Sequence, residues 1–282
     1  MKSLINQEII NFANHLADQS AIIAKKYFRL ANGEEAKSDD SPVTKADREI
    51  ELMIRQKINN IFPNHGIIGE EYENINEKAQ FVWVIDPIDG TSSFIIGRPI
   101  FGTLISLTYN KKPILGIINQ PITNERWFAA DGFGAWFTNK NIAYDNQIFF
   151  DNKIWQKIKT RNVTNLNDAV MCSSSPHFFE GVNKNILQHL SKLTKYQKIG
   201  GIVYGGDCYS FACLAMGLVD IIIEPGLKCY DYAATQPIIA EAGGFVTDWQ
   251  GKDLDLKSNI AVLACANKNL LDQVIKEIST KI

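Results

Sequence analysis

Residues 83–94 read WVIDPIDGTSSF. An apolar run leads into Asp86 and Asp89, which flank Pro87 and Ile88, and Gly90-Thr91 follows. The run reads as a buried strand that ends in two carboxylates. Like charges so placed repel, so something has to neutralise them. Carboxylates at strand ends are hard-oxygen ligands suited to Mg²⁺ or a similar cation. An Asp-x-x-Asp turn lets one carboxylate bridge two ions while the other binds one. Two ions about 3.5–4 Å apart suit in-line displacement at phosphorus. A helix beginning at Gly90-Thr91 would add N–H groups that face an anion, and glycine has no Cβ to block close approach. The plainer reading is a turn with a helix cap. Both readings stand on this stretch alone.

Further acids follow apolar runs or open helices. Glu70 and Glu71 end HGIIGEE, and Asp231 sits in YDYAATQ. Taken singly, the glutamates read as a solvated surface pair and Asp231 as a helix N-cap. Only the joint occurrence favours a metal site.

The 282-residue chain suits one large layered domain or two smaller ones. With 45% hydrophobic and 21% charged residues, its composition is that of an ordinary globular enzyme. The net charge is −2 and no Lys/Arg run clusters, which argues against a broad nucleic-acid surface. Ile5, Ile9, Ala13, Leu16, Ala24 and Phe28 recur at helical spacing among polar residues. That is an amphipathic helix, not a signal peptide, and no stretch reaches membrane-span length without charges. The five cysteines form no C-x-x-C pair and read as reduced, packed thiols of a cytoplasmic protein.

The polar stretch at residues 31–41 reads as a mobile loop. SPVTKADREIELMIRQKINNIF then reads as a helix capped by Thr44 or Ser41, with Ile50, Met53, Ile54, Ile58 and Ile61 on one face. FVWVID is a strand. From Phe101 to Phe137, Gly, Pro and Asn punctuate antiparallel strands. Later segments alternate strand and helix. A soft boundary is placed near 145. It separates an N-terminal α+β domain (1–145), with most metal ligands, from a C-terminal α/β domain (146–282), with Asp231 and the substrate pocket.

G-E-E at Glu70-Glu71, D-P-I-D-G-T at 86–91 and Y-D-Y-A-A…E-A-G-G at 230–244 resemble the signatures of the inositol-monophosphatase-like, Mg²⁺-dependent phosphatase superfamily. V-T-K-A-D, ending at Asp47, resembles the helix that precedes G-E-E there. The resemblance runs over residues 37–244. It implies a mixed α/β fold, a layered αβαβα sandwich of the inositol monophosphatase and fructose-1,6-bisphosphatase type. It also implies a homodimer acting on small phosphate monoesters with two or three Mg²⁺ ions per site. Carried over by residue, Glu70, Asp86 and the Ile88 carbonyl bind one metal. Asp86, Asp89 and Asp231 bind a second, and Glu70 touches a weaker third near Asp47. Glu70, Glu71 and Thr91 form the catalytic set, with Glu71 and Thr91 orienting and deprotonating the water. Gly90 and Thr91 present N–H groups to the phosphate.

Y-G-G-D-C-Y-S-F, G-R-P-I-F-G-T-L, N-Q-P-I-T-N-E-R-W and S-S-P-H are similar to the histidinol-phosphatase branch of that superfamily. Inositol is a neutral polyol, whereas histidinol carries an ammonium and a protonatable imidazole. Asp207 and Glu224, with Asp89, would then contact a cationic leaving group. Asp207 also reads as a helix N-cap and Glu224 as a strand-end surface charge. Ser92 departs from the branch, which commonly has lysine after the Gly-Thr pair. An inositol-1-phosphatase or broad sugar-phosphate phosphatase is the nearest alternative, and a non-catalytic metal- or phosphate-binding module the alternative of another class. The four histidines show no zinc spacing, Ser173–Ser175 lack a nucleophile elbow, and GGIVYGG is no dinucleotide fingerprint.

Overall fold

Along FVWVID, Trp83 and Ile85 face one way and Val82 and Val84 the other, and all four are buried. A strand buried on both faces needs a layer on each side. The computed structural model describes residues 4–30, 35–36, 42–140, 154–196, 200–256 and 260–281, and supplies both layers.

The chain opens with α1 (Gln7–Tyr27), capped by the Asn6 side chain, which accepts from the Ile9 N–H. A short ladder, β1 (Glu35–Ala36) with β2 (Pro42–Val43), precedes α2 (Lys45–Ile61). Then come β3 (Gly66–Gly69), β4 (Phe81–Asp89), the short helix α3 (Thr91–Ile95) and β5 (Gly102–Tyr109). Strands β6 (Lys112–Gln120), β7 (Glu125–Ala130), β8 (Gly134–Thr138) and β9 (Gln156–Lys157) follow. Next are β10 (Met171–Ser173), α4 (Gly181–Ser191), β11 (Ile202–Tyr204), α5 (Asp207–Ala215) and β12 (Ile221–Leu227). The chain continues through α6 (Cys229–Tyr232), α7 (Thr235–Glu241), β13 (Phe245–Asp248), β14 (Ile260–Cys265) and α8 (Lys268–Ser279).

Seven strands run in the order β3-β4-β5-β6-β7-β8-β9, antiparallel except for the parallel β3–β4 pair. Five form a second sheet, β11-β10-β12-β14-β13, with β11, β10 and β12 parallel. Period-two alternation gives each sheet two apolar faces. Trp83, Ile85, Ile105, Leu107, Ile117 and Phe128 meet α1 and α2. Val82, Val84, Leu104, Ile118 and Trp127 meet α5 and α7, which also cover Cys172, Ile222, Val262 and Ala264 of the second sheet. Ile221, Ile223, Leu263 and Cys265 meet α4 and α8. The result is the expected αβαβα sandwich. No helix among the described residues is long and apolar enough to cross a membrane.

Thr44 caps α2, and Asp47 completes a capping box by accepting from the Thr44 N–H at 2.9 Å; the alternative cap, Ser41, lies outside the described residues. Ile50, Ile54 and Ile58 are buried as expected, but Ile61 is 55% exposed. The helix ends at Ile61, and Phe62 takes the inward place, packing edge-on to Phe12 and stacking on His65. The boundary placed near 145 lies outside the described residues, as does most of the loop at 31–41.

The middle helix layer comes so close to β6 that a Cβ on Gly116 would stand 2.1 Å from the Ala234 carbonyl oxygen. Both groups are backbone-held and have no room to move. Gly116→Ala is expected to cost about 3 kcal/mol, read as a lowered urea midpoint. An unchanged midpoint would show that these layers are not in close contact.

Candidate active site

The Asp-Pro-Ile-Asp stretch is a β-bulge. Asp86 pairs with Leu104 and Asp89 with Gly102, so β4 advances three residues while β5 advances two. In a regular strand, residues three apart face opposite sides of the sheet. The extra residue returns Asp89 to the side of Asp86. Pro87 has no N–H to lose there, and its carbonyl accepts from Thr103 Oγ1 at 2.8 Å. Carboxylate oxygens of Asp86, Asp89 and Asp231 consequently lie within 4.8 Å of one another.

Other elements converge on this bulge. Gly90 takes φ +82°, and a Cβ there would stand 2.9 Å from Asp207 Oδ2. Thr91 opens α3, and its hydroxyl donates to the Ile88 carbonyl at 3.0 Å. The Cys208 N–H, in the first turn of α5, donates to Asp89 Oδ2 at 2.5 Å. Asp231 sits in the first turn of α6 and accepts from the Lys228 N–H at 2.7 Å. Its helix role is therefore reciprocal capping from inside the turn, not the N-cap itself. The shared cleft, about 340 Å³, is lined by Glu70, Asp86, Ile88, Asp89, Gly90, Thr91, Asp207, Glu224 and Asp231, together with Ser92, Ser174, Phe178, Lys228 and Tyr230. Of the expected residues, Glu71 and Asp47 do not line it.

A buried ion pair absent from the sequence reading holds the Glu70-Glu71 turn. Glu51 and Arg55 of α2 pair at 2.7 Å, both almost wholly buried. Glu51 also accepts the Glu71 N–H at 2.8 Å and the Tyr72 N–H at 3.3 Å, and Arg55 donates to the carbonyls of Tyr72 and Glu73. Removing one partner would strand the other in the interior.

At the opposite side of the cleft, Glu224 is 2% exposed, which removes its reading as a surface charge. Its Oε1 accepts from the Ser174 N–H at 2.6 Å and the Ser174 hydroxyl at 2.9 Å. The same hydroxyl contacts Asp207. Asp207 is the first residue of α5, at φ +39°, while Gly206 occupies the N-cap position; no side-chain cap bond forms. The N-cap reading of Asp207 therefore fails. One hydroxyl proton satisfies only one charged carboxylate. Glu224 keeps the Ser174 N–H in either case, while its Oε2 has no hydrogen-bond partner among the described residues.

The electrostatics agree. Burial first, then Glu70, Asp89 and Asp231, pushes the Asp86 carboxyl well above the usual carboxylate range. Burial, then Asp207 and Asp231, does the same at Asp89. Burial pushes Asp231 up to about 7 and Glu224 up to about 8, against the hydrogen bonds each accepts. It raises Asp47 to about 6, with the Thr44 hydrogen bonds opposing it. Asp86 Oδ1, Asp47 Oδ1 and Glu224 Oε2 are buried without a hydrogen-bond partner among the described residues. A carboxylate set with orphaned oxygens and no histidine suits a hard divalent cation.

Folding raises these acid pKa values, so the cation-free native state holds protons that the unfolded chain releases near its carboxylate value of 3.8. Its stability falls as pH rises from there through about 7. A cation displaces those protons and binds more tightly as pH rises. The increase in Tm given by Mg²⁺ should therefore grow from about pH 6 to about pH 8, and should vanish in Asp86→Asn. A pH-independent increase would contradict the proton-loaded site.

Comparison with known proteins agrees with this geometry. The model of the Inositol monophosphatase family matches residues 5–282. The bifunctional phosphatase IMPL2, chloroplastic, of Arabidopsis thaliana is 41% identical over 254 residues, spanning 88% of this chain and 67% of that protein. A histidinol-phosphatase of Chlorobaculum parvum is 30% identical over 93% of this chain and 95% of its own. The structure of an inositol monophosphatase from Zymomonas mobilis superposes with a TM-score of 0.82 at 35% identity, covering 96% of this chain and 98% of that one. With the matched region running almost from end to end, the chain belongs to the inositol monophosphatase family of phosphatases.

Proposed function

We propose that the protein is a Mg²⁺-dependent phosphomonoesterase that hydrolyses L-histidinol phosphate to L-histidinol and phosphate. The observation that carries this reading is the pair of acids, Asp207 and Glu224, bridged by Ser174 in the same cleft as the Asp86, Asp89 and Asp231 cluster. A buried acid and a half-buried one with a hydroxyl between them favour a cationic leaving group over a neutral polyol.

Glu70, Asp86, Asp89 and Asp231, with the Ile88 carbonyl, would hold the cation. When bound, it supplies Lewis-acid activation of water and neutralises charge on the phosphoryl group. Thr91 Oγ1 gives its proton to the Ile88 carbonyl, so its lone pairs are left to accept a hydrogen bond from the attacking water. Glu71 is the proposed proton acceptor, on the turn fixed by Glu51. The N–H groups of Gly90 and Thr91 face the phosphoryl oxygens. The five cysteines are free, and burial pushes the thiols of Cys172 and Cys213 up to about 12 and about 11, which supports the cytoplasmic part of the reading.

Ser92, which lines the cleft, favours a second reading as an inositol-1-phosphatase or broad sugar-phosphate phosphatase. Phosphate release from L-histidinol phosphate and inositol 1-phosphate separates the two. The first reading expects kcat/KM at least about tenfold higher for histidinol phosphate, about 1.4 kcal/mol of discrimination. Chelator and Asp86→Asn should abolish turnover of both esters, and Asp207→Asn should erase the preference. A preference for the inositol ester would leave the metal site standing and overturn the role of Asp207.

A further inference from the structure

We propose that Phe178 determines specificity: its exposed face is the surface on which a planar ring of the leaving group stacks at the mouth of the cleft. This rests on the reading of the site as one for a cationic leaving group and deepens it. Phe178 lines the cleft together with Asp207 and Glu224, yet is 62% exposed.

The turn that carries Phe178 is held by its own segment. Ser174, four residues earlier, is fixed by Glu224 through both its N–H and its hydroxyl. Ser175 Oγ accepts from the His177 N–H at 3.2 Å, and Pro176 fixes one backbone angle of the turn. On the far side, Phe179 is 3% exposed and stacks on Trp249, with ring centroids 6.2 Å apart and planes 22° from parallel. The two neighbouring aromatics thus divide the work. Phe179 anchors the turn in the core, and Phe178 is left presented to the cleft.

An ordered aromatic face loses little entropy when a ligand docks on it. An aromatic face beside buried acids is the combination that recognises a flat cation, because the ring quadrupole and the carboxylates attract the same charge. A polyol offers neither a flat face nor a charge. Phe178 therefore reads the ring, while Asp207 and Glu224 read the charge.

The test uses the full chain with Mg²⁺ and four esters. L-histidinol phosphate has ring and charge, 2-phenylethyl phosphate has a ring only, phosphoethanolamine has an amine only, and inositol 1-phosphate has neither. Phe178→Ala should lower kcat/KM for the two ring-bearing esters by about tenfold and leave the other two within about twofold, while Phe178→Trp keeps the wild-type pattern. Equal loss on all four esters, or no loss on any, overturns the proposal. So does a uniform loss accompanied by a changed mass in sedimentation, which would make Phe178 a contact between copies. The wild-type ranking judges the substrate reading separately: a preference for inositol 1-phosphate overturns that reading, while the ratio between variants on 2-phenylethyl phosphate still decides the role of Phe178.

Discussion

One extra residue in β4 governs the site. Without the bulge, Asp86 and Asp89 would point to opposite faces of the seven-stranded sheet. With it, both carboxylates stand on the face that meets the central helices, close to Asp231. Lys228 and backbone N–H groups offset only part of the repulsion thus created, and Asp86 Oδ1 has no hydrogen-bond partner among the described residues. The fold holds an electrostatically strained cluster in place because its surroundings are rigid: a paired strand on one side and well-packed helices on the other.

The helix ends complete the arrangement. The first turn of α5 and the N-cap residue of α6 each donate a backbone N–H to one of the acids, Cys208 to Asp89 and Lys228 to Asp231. Each bond ties a residue of the second half of the chain to the site or orients it there, and each leaves the carboxylate's other oxygen for a ligand. The closeness of α5 to the bulge also explains Gly90, where any side chain would meet Asp207. The proposed substrate pocket and the acidic cluster are thus two sides of one contact between the halves of the chain.

Much of this was legible in the sequence. The buried strand at FVWVID, the DPIDGT stretch and the helical spacing of Ile50, Ile54 and Ile58 each map onto the structure. That the acids from distant segments share a site came from their resemblance to known signatures, since spacing alone does not bring Asp231 to Asp86. What escaped has a physical reason. Glu51 and Arg55 look like solvated helix charges, although their four-residue spacing beside the buried isoleucines was a readable sign of a pair. Ser174 is a small loop hydroxyl whose importance depends on two partners far away in the chain. Ile61 follows the apolar stripe but is the last residue of α2 and is 55% exposed.

The central claim is that the bulge builds a cation site from Asp86, Asp89 and Asp231. Anomalous scattering from a crystal grown with Mn²⁺ in place of Mg²⁺ tests it most directly. The account predicts density for an ion coordinated by Asp86 and Asp89 together, with Asp231 and the Ile88 carbonyl among the ligands of the cluster. A crystal with Mn²⁺ absent from these carboxylates, or bound only elsewhere on the protein, would contradict it.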